Sequence, residues 1–573
     1  MATDVDTTEQ KAPPKHNWNP FDQRSDKPVD PVVFSVSLGL IVIFLILGGF
    51  FPDATGDIAG TALDWVLVNF GWAFILGVAG FVAFTLILAF SRYGRIPLGK
   101  SGEKPEFSTV SWIALMFGAG MGVGLVFYGV AEPISHLTAP PPGSGAQAGT
   151  LDAARVAMQY SFFHWGIQPW AIYSVVGMAL AYSTYRKGRG NPLSAPFTPI
   201  LGDPEGPWGR AINTFAIVVT KFGTATSLGL AGLEMAAGLS YVFGIKPTNG
   251  VAVWIIIIMT IIFVLTAVSG VERGMKYASN INLVLAGLLM LFILAVGPTV
   301  FILNAVGRST GDYLFHFITM TFHTAGFSGG GAVSWLSSWT IFYWAWWISW
   351  ALHVGTFLAR VSRGRTIRQF VAGVVVIPTL GSMAWFSILG GAGLHLQLTG
   401  QQDIAGAGDQ ADKLFAMLSA YPGFTIVGIL TIILVAIFFI TGADTGAMVL
   451  GMLSSHGTPE PRRLISIIWG CTTGAVALVL IYVGGLQAIE TFVILAATPF
   501  IIVMGAMAVS FFIDLRHDPL RQQIVPPVRQ HAPDPMDMDE TAGNAETGQP
   551  VTGVAQPTPP TVTSGGNGAA GTG

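Results

Sequence analysis

The chain has 573 residues, 52% of them hydrophobic and only 10% charged, with a mean hydropathy of +0.61; soluble domains run at roughly 25% charged, so this balance describes a membrane protein. A formal net charge of −3 leaves no basic footprint for nucleic acid. The solitary Cys471 lies in an apolar segment, which excludes a disulfide framework and a cysteine metal site.

Residues 1–31 mix acids and bases without the short apolar core and cleavage site of a signal peptide. Together with residues 516–573, rich in Pro, Gly and Thr and holding three arginines against six acids, they are expected to be disordered tails. Between them, runs such as VVFSVSLGLIVIFLILGGFF (32–51) reach the ~20 apolar residues that cross about 30 Å of hydrocarbon. Twelve spans are predicted, near 32–52, 62–91, 108–135, 153–185, 208–243, 249–270, 278–304, 336–360, 367–395, 422–454, 463–484 and 487–514. Positive charge supports that count. It gathers in the N-terminal tail, at Arg92, Arg95, Lys100 and Lys104, at Arg186, Lys187, Arg189 and Arg210, at Arg273 and Lys276, in ARVSRGRTIR (359–368), and at Arg462 and Arg463. Every second connection is thus basic, which places both termini in the cytoplasm of a multi-pass protein of the plasma (bacterial inner) membrane. Residues 306–335 mix aromatics and polar groups at helical spacing and read as an outer interfacial helix region.

Several spans carry residues that are costly in hydrocarbon. The third, MFGAGMGVGLVFYG, has Gly118, Gly120, Gly122 and Gly124 at every second position. Small-xxx-small packing is one reading; the other, favoured by four alternate glycines in one span, is an unwound break whose backbone lines a polar cavity. In the fourth, FHWGIQPWAIY, Trp165, Trp170 and Tyr173 fall within about 140° of one another at 100° per residue. In the fifth, Thr220, Thr224 and Ser227 form a hydroxyl stripe, open either to back-bonding or to cation coordination. Lys221 beside them is an intramembrane cation, a functional candidate unless it snorkels to the nearby surface.

The eighth span contains FYWAWWISW (342–350), where Trp346, Trp347 and Trp350 lie about 200°, 300° and 240° from Trp344, a compact patch flanked by the fourth indole. Indoles this deep are either filler or a box of π-faces for a cation, and such boxes suit quaternary ammonium groups, which have no N–H to donate. His353 one turn on is a titratable group, read as a structural donor or a coupling residue. In the tenth span, Phe438, Thr441, Gly442 and Asp444 sit in apolar sequence, where a second broken helix is expected to offer oxygens to a small cation.

These stretches, GAGMGVGLVFYGVAEP (118–133), HWGIQPWAIY (164–173), FGTATSLGL (222–230), FYWAWWISW with FLARVSRGRTIRQF (342–370) and FFITGAD (438–444), resemble the betaine/carnitine/choline transporters. The resemblance covers the chain between its tails. It implies an all-α polytopic fold of twelve transmembrane helices with a leucine-transporter-like core of two inverted five-helix repeats, residues 108–305 and 336–515, preceded by two extra helices in 32–107. It implies homotrimers. Carried over residue by residue, Trp346, Trp347 and Trp350 form the substrate cage with Trp344 at its edge. Trp165, Trp170 and Tyr173 form a second wall, and Gly120, Met121, Gly122 and Gly124 the backbone facing the ligand. Sodium-coupled members bind the ion at positions matching Gly118, Met121, Phe438 and Thr441, and again near Thr220 and Thr224.

The departures concern coupling. Gly442 stands where the family usually has serine, and Ala351, Leu352 and His353 replace its SPF. Lys221 takes a small apolar position, and a fixed ammonium there is expected to stand in for sodium, as basic side chains do in sodium-independent relatives. Choline-selective, proton-coupled members carry Asp at the position of Gly124. The expected function is ion-coupled import of trimethylammonium solutes such as glycine betaine, with sodium or a proton as the coupling ion and no other cofactor. The alternative is sodium-independent exchange, or proton-coupled transport, of carnitine or choline. No HExxH, GxSxG or His-rich constellation supports an enzyme, and no continuous polar stripe supports a channel.

Overall fold

The computed structural model describes residues 29–520 apart from 121, 191, 270, 271, 328–330 and 459, and only the backbone at 117–120, 267–269, 272–276 and 327. The tails expected to be disordered fall outside it except for residues 29–31 and 516–520, and Met121 lies outside the described residues. Among the described residues everything regular is helical, the one exception being an isolated bridge between Pro97 and Thr366.

In chain order the main helices are α1 (Pro31–Phe50), α2 (Pro52–Phe90), α3 (Thr109–Gly120), α4 (Val123–Thr138), α5 (Leu151–Trp165), α6 (Ile167–Ala181), α7 (Pro207–Phe243), α8 (Asn249–Ser269), α9 (Glu272–Val296) and α10 (Thr299–Thr321). They continue with α11 (Phe342–Val361), α12 (Ile367–Leu398, interrupted by two wider turns), α13 (Phe424–Leu453) and α14 (Arg463–Arg516). Eight of the described helices are long and apolar enough to cross a membrane unaided. The most apolar stretch of α7 is 89% buried and that of α1 only 22%, so α7 is central and α1 peripheral. α6 packs along α11, and α13 and α14 pack along α7.

Three of the helix starts are closed by side-chain caps. Asp30 accepts hydrogen bonds from the amides of Val32 and Val33, with Pro31 at the first turn, where its missing N–H is harmless. Thr150 caps α5, and Thr366 with Gln369 forms a reciprocal capping box on α12.

Three helix breaks shape the interior. α3 and α4 are separated at 121–122, where Gly122 is extended. α5 and α6 part at Gly166, and the free amide of Ile167 just beyond is taken by the Tyr313 hydroxyl, which itself donates to Gln168. That stitches α10, the segment expected to lie along an interface, to the fourth span. α14 is broken at Gly484–Gly485, and Gly485 adopts φ 60°, ψ −134°, a region closed to side chains. The tenth span differs from expectation. α13 runs unbroken from 424 to 453, and its Thr441 hydroxyl bonds back to the Ile437 carbonyl at 2.9 Å instead of marking a break.

The basic connections meet on one face. Arg186 bonds Asp518 at 2.5 Å and the Gly99 carbonyl, Arg189 pairs with Asp514, Arg363 pairs with Glu103 at 2.6 Å, and Arg210 reaches Asp30. The alternation of charge along the chain is thus an arrangement in space.

Gly485→Ala is expected to destabilise by about 1–3 kcal/mol, because alanine cannot adopt that φ/ψ without strain. Gly484→Ala, at φ −175°, should do much less, and thermal unfolding of both variants in detergent checks the contrast.

Candidate functional site

A cavity of about 880 Å³ runs inward among α4, α6, α7, α11 and α13. Its lining includes Phe107, Ser111, Thr184, Tyr185 and Arg360 next to the basic connections, so it opens toward the basic face. Its deep end is aromatic. Trp346 and Trp347 stack at 4.8 Å and 14°. Trp165 stands edge-on to Trp347 at 4.8 Å and 72°, and Tyr173 is perpendicular to both Trp347 and Trp170. Trp165 thus stands nearly perpendicular to the Trp346–Trp347 pair, and Trp350 also lines the cavity.

Three of the indoles are fixed through their N–H groups. Trp347 donates to the His164 carbonyl, which the break at Gly166 leaves free, at 3.0 Å. Trp350 donates to the Gly223 carbonyl at 3.0 Å, and Trp165 to Glu132 at 2.8 Å. The Trp346 N–H is buried without a partner, as is the hydroxyl of Tyr128 against it.

Trp344 is turned the other way, against Phe163 at 5.2 Å and His164 at 5.8 Å, and does not line the cavity. Of the third span's glycines, Gly122 and Gly124 line it, and Gly442 of α13 does too. A Cβ on Gly124 would sit 2.5 Å from Trp346 and 2.7 Å from Trp165, whereas one on Gly122 would meet nothing within 4 Å. Only Gly124 is required by the box itself. Gly118 and Gly120 lie in the last turn of α3.

The residues proposed for ion coupling separate into two groups. Thr224, His353, Phe438 and Thr441 line the cavity. The Thr224 hydroxyl bonds back to the Thr220 carbonyl at 2.9 Å, while the Thr220 hydroxyl and His353 Nδ1 are buried without partners. Lys221 is in neither lining nor stripe. Its ammonium is fully buried, with hydrogen bonds to the Trp469 carbonyl (2.6 Å), Thr472 (2.9 Å) and Thr473 (2.7 Å), and it lies 4.8 Å over the Trp469 ring. It fastens α7 to α14 and points away from Thr224.

Behind the box is a polar group that the residue-by-residue reading did not single out. Glu132, fully buried on α4, accepts from Trp165, from Tyr343 at 2.6 Å and from His164 at 2.6 Å, with His136 at 3.3 Å. The available signal was an acid inside the third span, VAEP, where an ionisable group is costly.

A bundle of apolar helices enclosing an aromatic chamber open to one face defines a membrane transporter and not an enzyme. Residues 32–520 match the family model described as "BCCT, betaine/carnitine/choline family transporter", and the chain belongs to that family. It is 45% identical over 481 residues to the glycine betaine transporter OpuD of Bacillus subtilis, covering 84% of this chain and 93% of that one. It is 42% identical over 500 residues to a probable glycine betaine transporter of Desulfitobacterium hafniense, covering 86% and 99%. To the betaine/ectoine transporter LcoP of Corynebacterium glutamicum it is 39% identical over 502 residues, covering 87% and 79%.

Gly124→Ala is expected to cost about 1–3 kcal/mol through overpacking against Trp346 and Trp165. Gly122→Ala should stay within about 0.5 kcal/mol. Thermal unfolding of the two variants beside the parent protein reads the difference.

Proposed function

We propose that this protein is a secondary active transporter importing quaternary-ammonium solutes such as glycine betaine by alternating access, driven by an ion gradient. The observation that carries the reading is the chamber formed by Trp165, Trp346, Trp347 and Trp350, with Tyr173 and Trp170 beside it. The Trp165 ring stands nearly perpendicular to the stacked Trp346 and Trp347 rings, and such an array of π-faces suits a methylated ammonium, for which a desolvated cation–π contact is worth roughly 2 kcal/mol or more. The unpaired Trp346 N–H and the amide-bearing start of α4 at Gly122–Gly124 supply donors for a carboxylate at the solute's other end. The names of the relatives point to the same solute class.

In this reading the chain crosses the plasma membrane twelve times. The α3–α4 and α5–α6 pairs each make one crossing, and α14 makes two. The core is two inverted five-helix repeats, the basic face and both termini are cytoplasmic, and three copies associate. The cavity then corresponds to the state that releases solute inward. Sodium is the coupling ion we favour, held between α3 and α13 at Gly118, Met121, Phe438 and Thr441, with Thr220 and Thr224 as a second position that uses the unpartnered Thr220 hydroxyl. Since Lys221 spends all three protons on α14, we do not assign it the role of replacing sodium. The second reading, sodium-independent exchange or proton-coupled transport of carnitine or choline, rests on the hydroxyl missing at Gly442 and on the unpartnered ring nitrogen of His353.

Counterflow of labelled glycine betaine, choline, carnitine and ectoine in proteoliposomes, with and without sodium and proton gradients, tests both readings. Glycine betaine is expected to exchange fastest and to depend on sodium, and saturable uptake indifferent to all four solutes overturns the substrate assignment. Trp347→Leu and Trp350→Leu should each weaken binding by at least tenfold, and parental affinity in both would return these indoles to the role of filler. Thr441→Val is expected to raise the half-saturating sodium concentration severalfold while leaving solute affinity at saturating sodium within a factor of two.

A further inference from the structure

Glu132 does not line the cavity, yet it touches the chamber's walls from behind. Its Oε2 accepts from the Trp165 indole at 2.8 Å and from the Tyr343 hydroxyl at 2.6 Å, and its Oε1 lies 2.6 Å from His164 Nδ1 and 3.3 Å from His136 Nε2. Tyr343 in turn stacks on Trp347 at 5.8 Å and 12°. His164 is anchored on its other nitrogen by Thr340 at 3.0 Å. The carboxylate, both histidines, Trp165 and Tyr343 are all buried. A carboxylate in such a place is tolerated because three hydrogen-bond donors converge on it, with the His136 ring close by.

We propose that Glu132 is the positioning and countercharge residue of the aromatic chamber: it sets the orientation of Trp165 and Tyr343 and makes the chamber selective for a cationic head group. This rests on the quaternary-ammonium reading above and deepens it. An indole that donates its N–H to a carboxylate is polarised toward a more negative ring, so the face offered to the ligand binds a cation more strongly. The carboxylate also acts directly through the low-dielectric wall. With an ammonium against the Trp165 face, the charge lies roughly 8–10 Å away, and at an effective dielectric of about 20 its removal corresponds to a loss of roughly ten- to thirtyfold in affinity. Because Glu132 is outside the cavity, it does this without a direct ion pair that would hold the solute too tightly to release.

The test separates charge from shape. Glu132→Gln keeps the shape: its amide oxygen accepts from Trp165 and Tyr343, and its NH₂ donates to His164 once that ring takes its other tautomer. Glu132→Asp keeps the charge and loses the shape. Binding of glycine betaine, and of its uncharged-head isostere 3,3-dimethylbutanoate, is followed by tryptophan fluorescence on purified protein, with thermal unfolding measured in parallel. The expected order of glycine betaine affinity is parent, then Asp, then Gln, with Gln at least tenfold below the parent and the isostere changed by less than twofold. Asp weaker than Gln, or equal losses for both ligands in Glu132→Gln, overturns the inference and makes the residue purely structural. Trp165→Phe keeps a ring face but severs the N–H link, and serves if Glu132→Gln does not fold. It too should lose at least tenfold for glycine betaine, and parental affinity in it overturns the inference. A parent protein that binds no glycine betaine overturns the transport reading itself, an outcome distinct from either result.

Discussion

The constraint on which the rest of the structure depends is that a backbone group released inside hydrocarbon must find a partner. At the Gly166 break the freed groups are met by side chains from elsewhere. Tyr313 takes the amide of Ile167 just beyond the Gly166 break, and Trp347 takes the His164 carbonyl just before it. Trp350 adds a bond to the Gly223 carbonyl on α7. The chamber is a by-product of this accounting. Indoles recruited to satisfy carbonyls have their planes fixed, and rings with fixed planes make a pocket of defined shape.

Electrostatics then divides the protein into layers. The basic face is bolted by ion pairs between connections distant in sequence, Arg186 with Asp518 and Arg363 with Glu103, where water and counter-ions are near. Burial leaves Asp518 caught between opposing effects: desolvation raises its pKa, while the bonds from Arg186 and Tyr182 outweigh that and hold it below the usual carboxylate value. Deeper in, charge is rare: Glu132 is met by three hydrogen-bond donors and Lys221 by three acceptors, while the buried carboxylate of Glu234 on α7 has no hydrogen-bond partner among the described residues. The middle layer is left to aromatic faces, which attract a cation without the desolvation that a carboxylate would demand.

Much of this was legible in the sequence because membrane proteins expose their logic in composition. Helix positions followed from apolar run length, and the shared basic face from the alternation of Lys and Arg. The 100° rule grouped Trp346, Trp347 and Trp350 and put Trp344 at their flank, but an angle says which side of a helix a ring is on and not which neighbour occupies that side. Phe163 and His164 do. Two features depended on distant contacts and were out of reach. Lys221 read as a functional candidate beside the threonine stripe, and its partners lie on α14, about 250 residues on. Glu132 gave only the weak signal of one acid in a span, because its three hydrogen-bond donors are 32, 33 and 211 residues further along the chain. The unbroken α13 shows the opposite error: threonine and glycine in an apolar run suggested a break, but back-bonding of Thr441 satisfies the hydroxyl within a regular helix.

The anchorage of Lys221 bears on how the molecule can move. An ammonium that spends all three protons on one turn of α14, beneath an indole, cannot be withdrawn without stranding charge in hydrocarbon. α7 and the first half of α14 are therefore coupled as one rigid lever, and the glycine pair at 484–485 is the place where that lever ends. Beyond it the second half of α14 leaves that tie, while α6 and α11 form a separate closely packed pair.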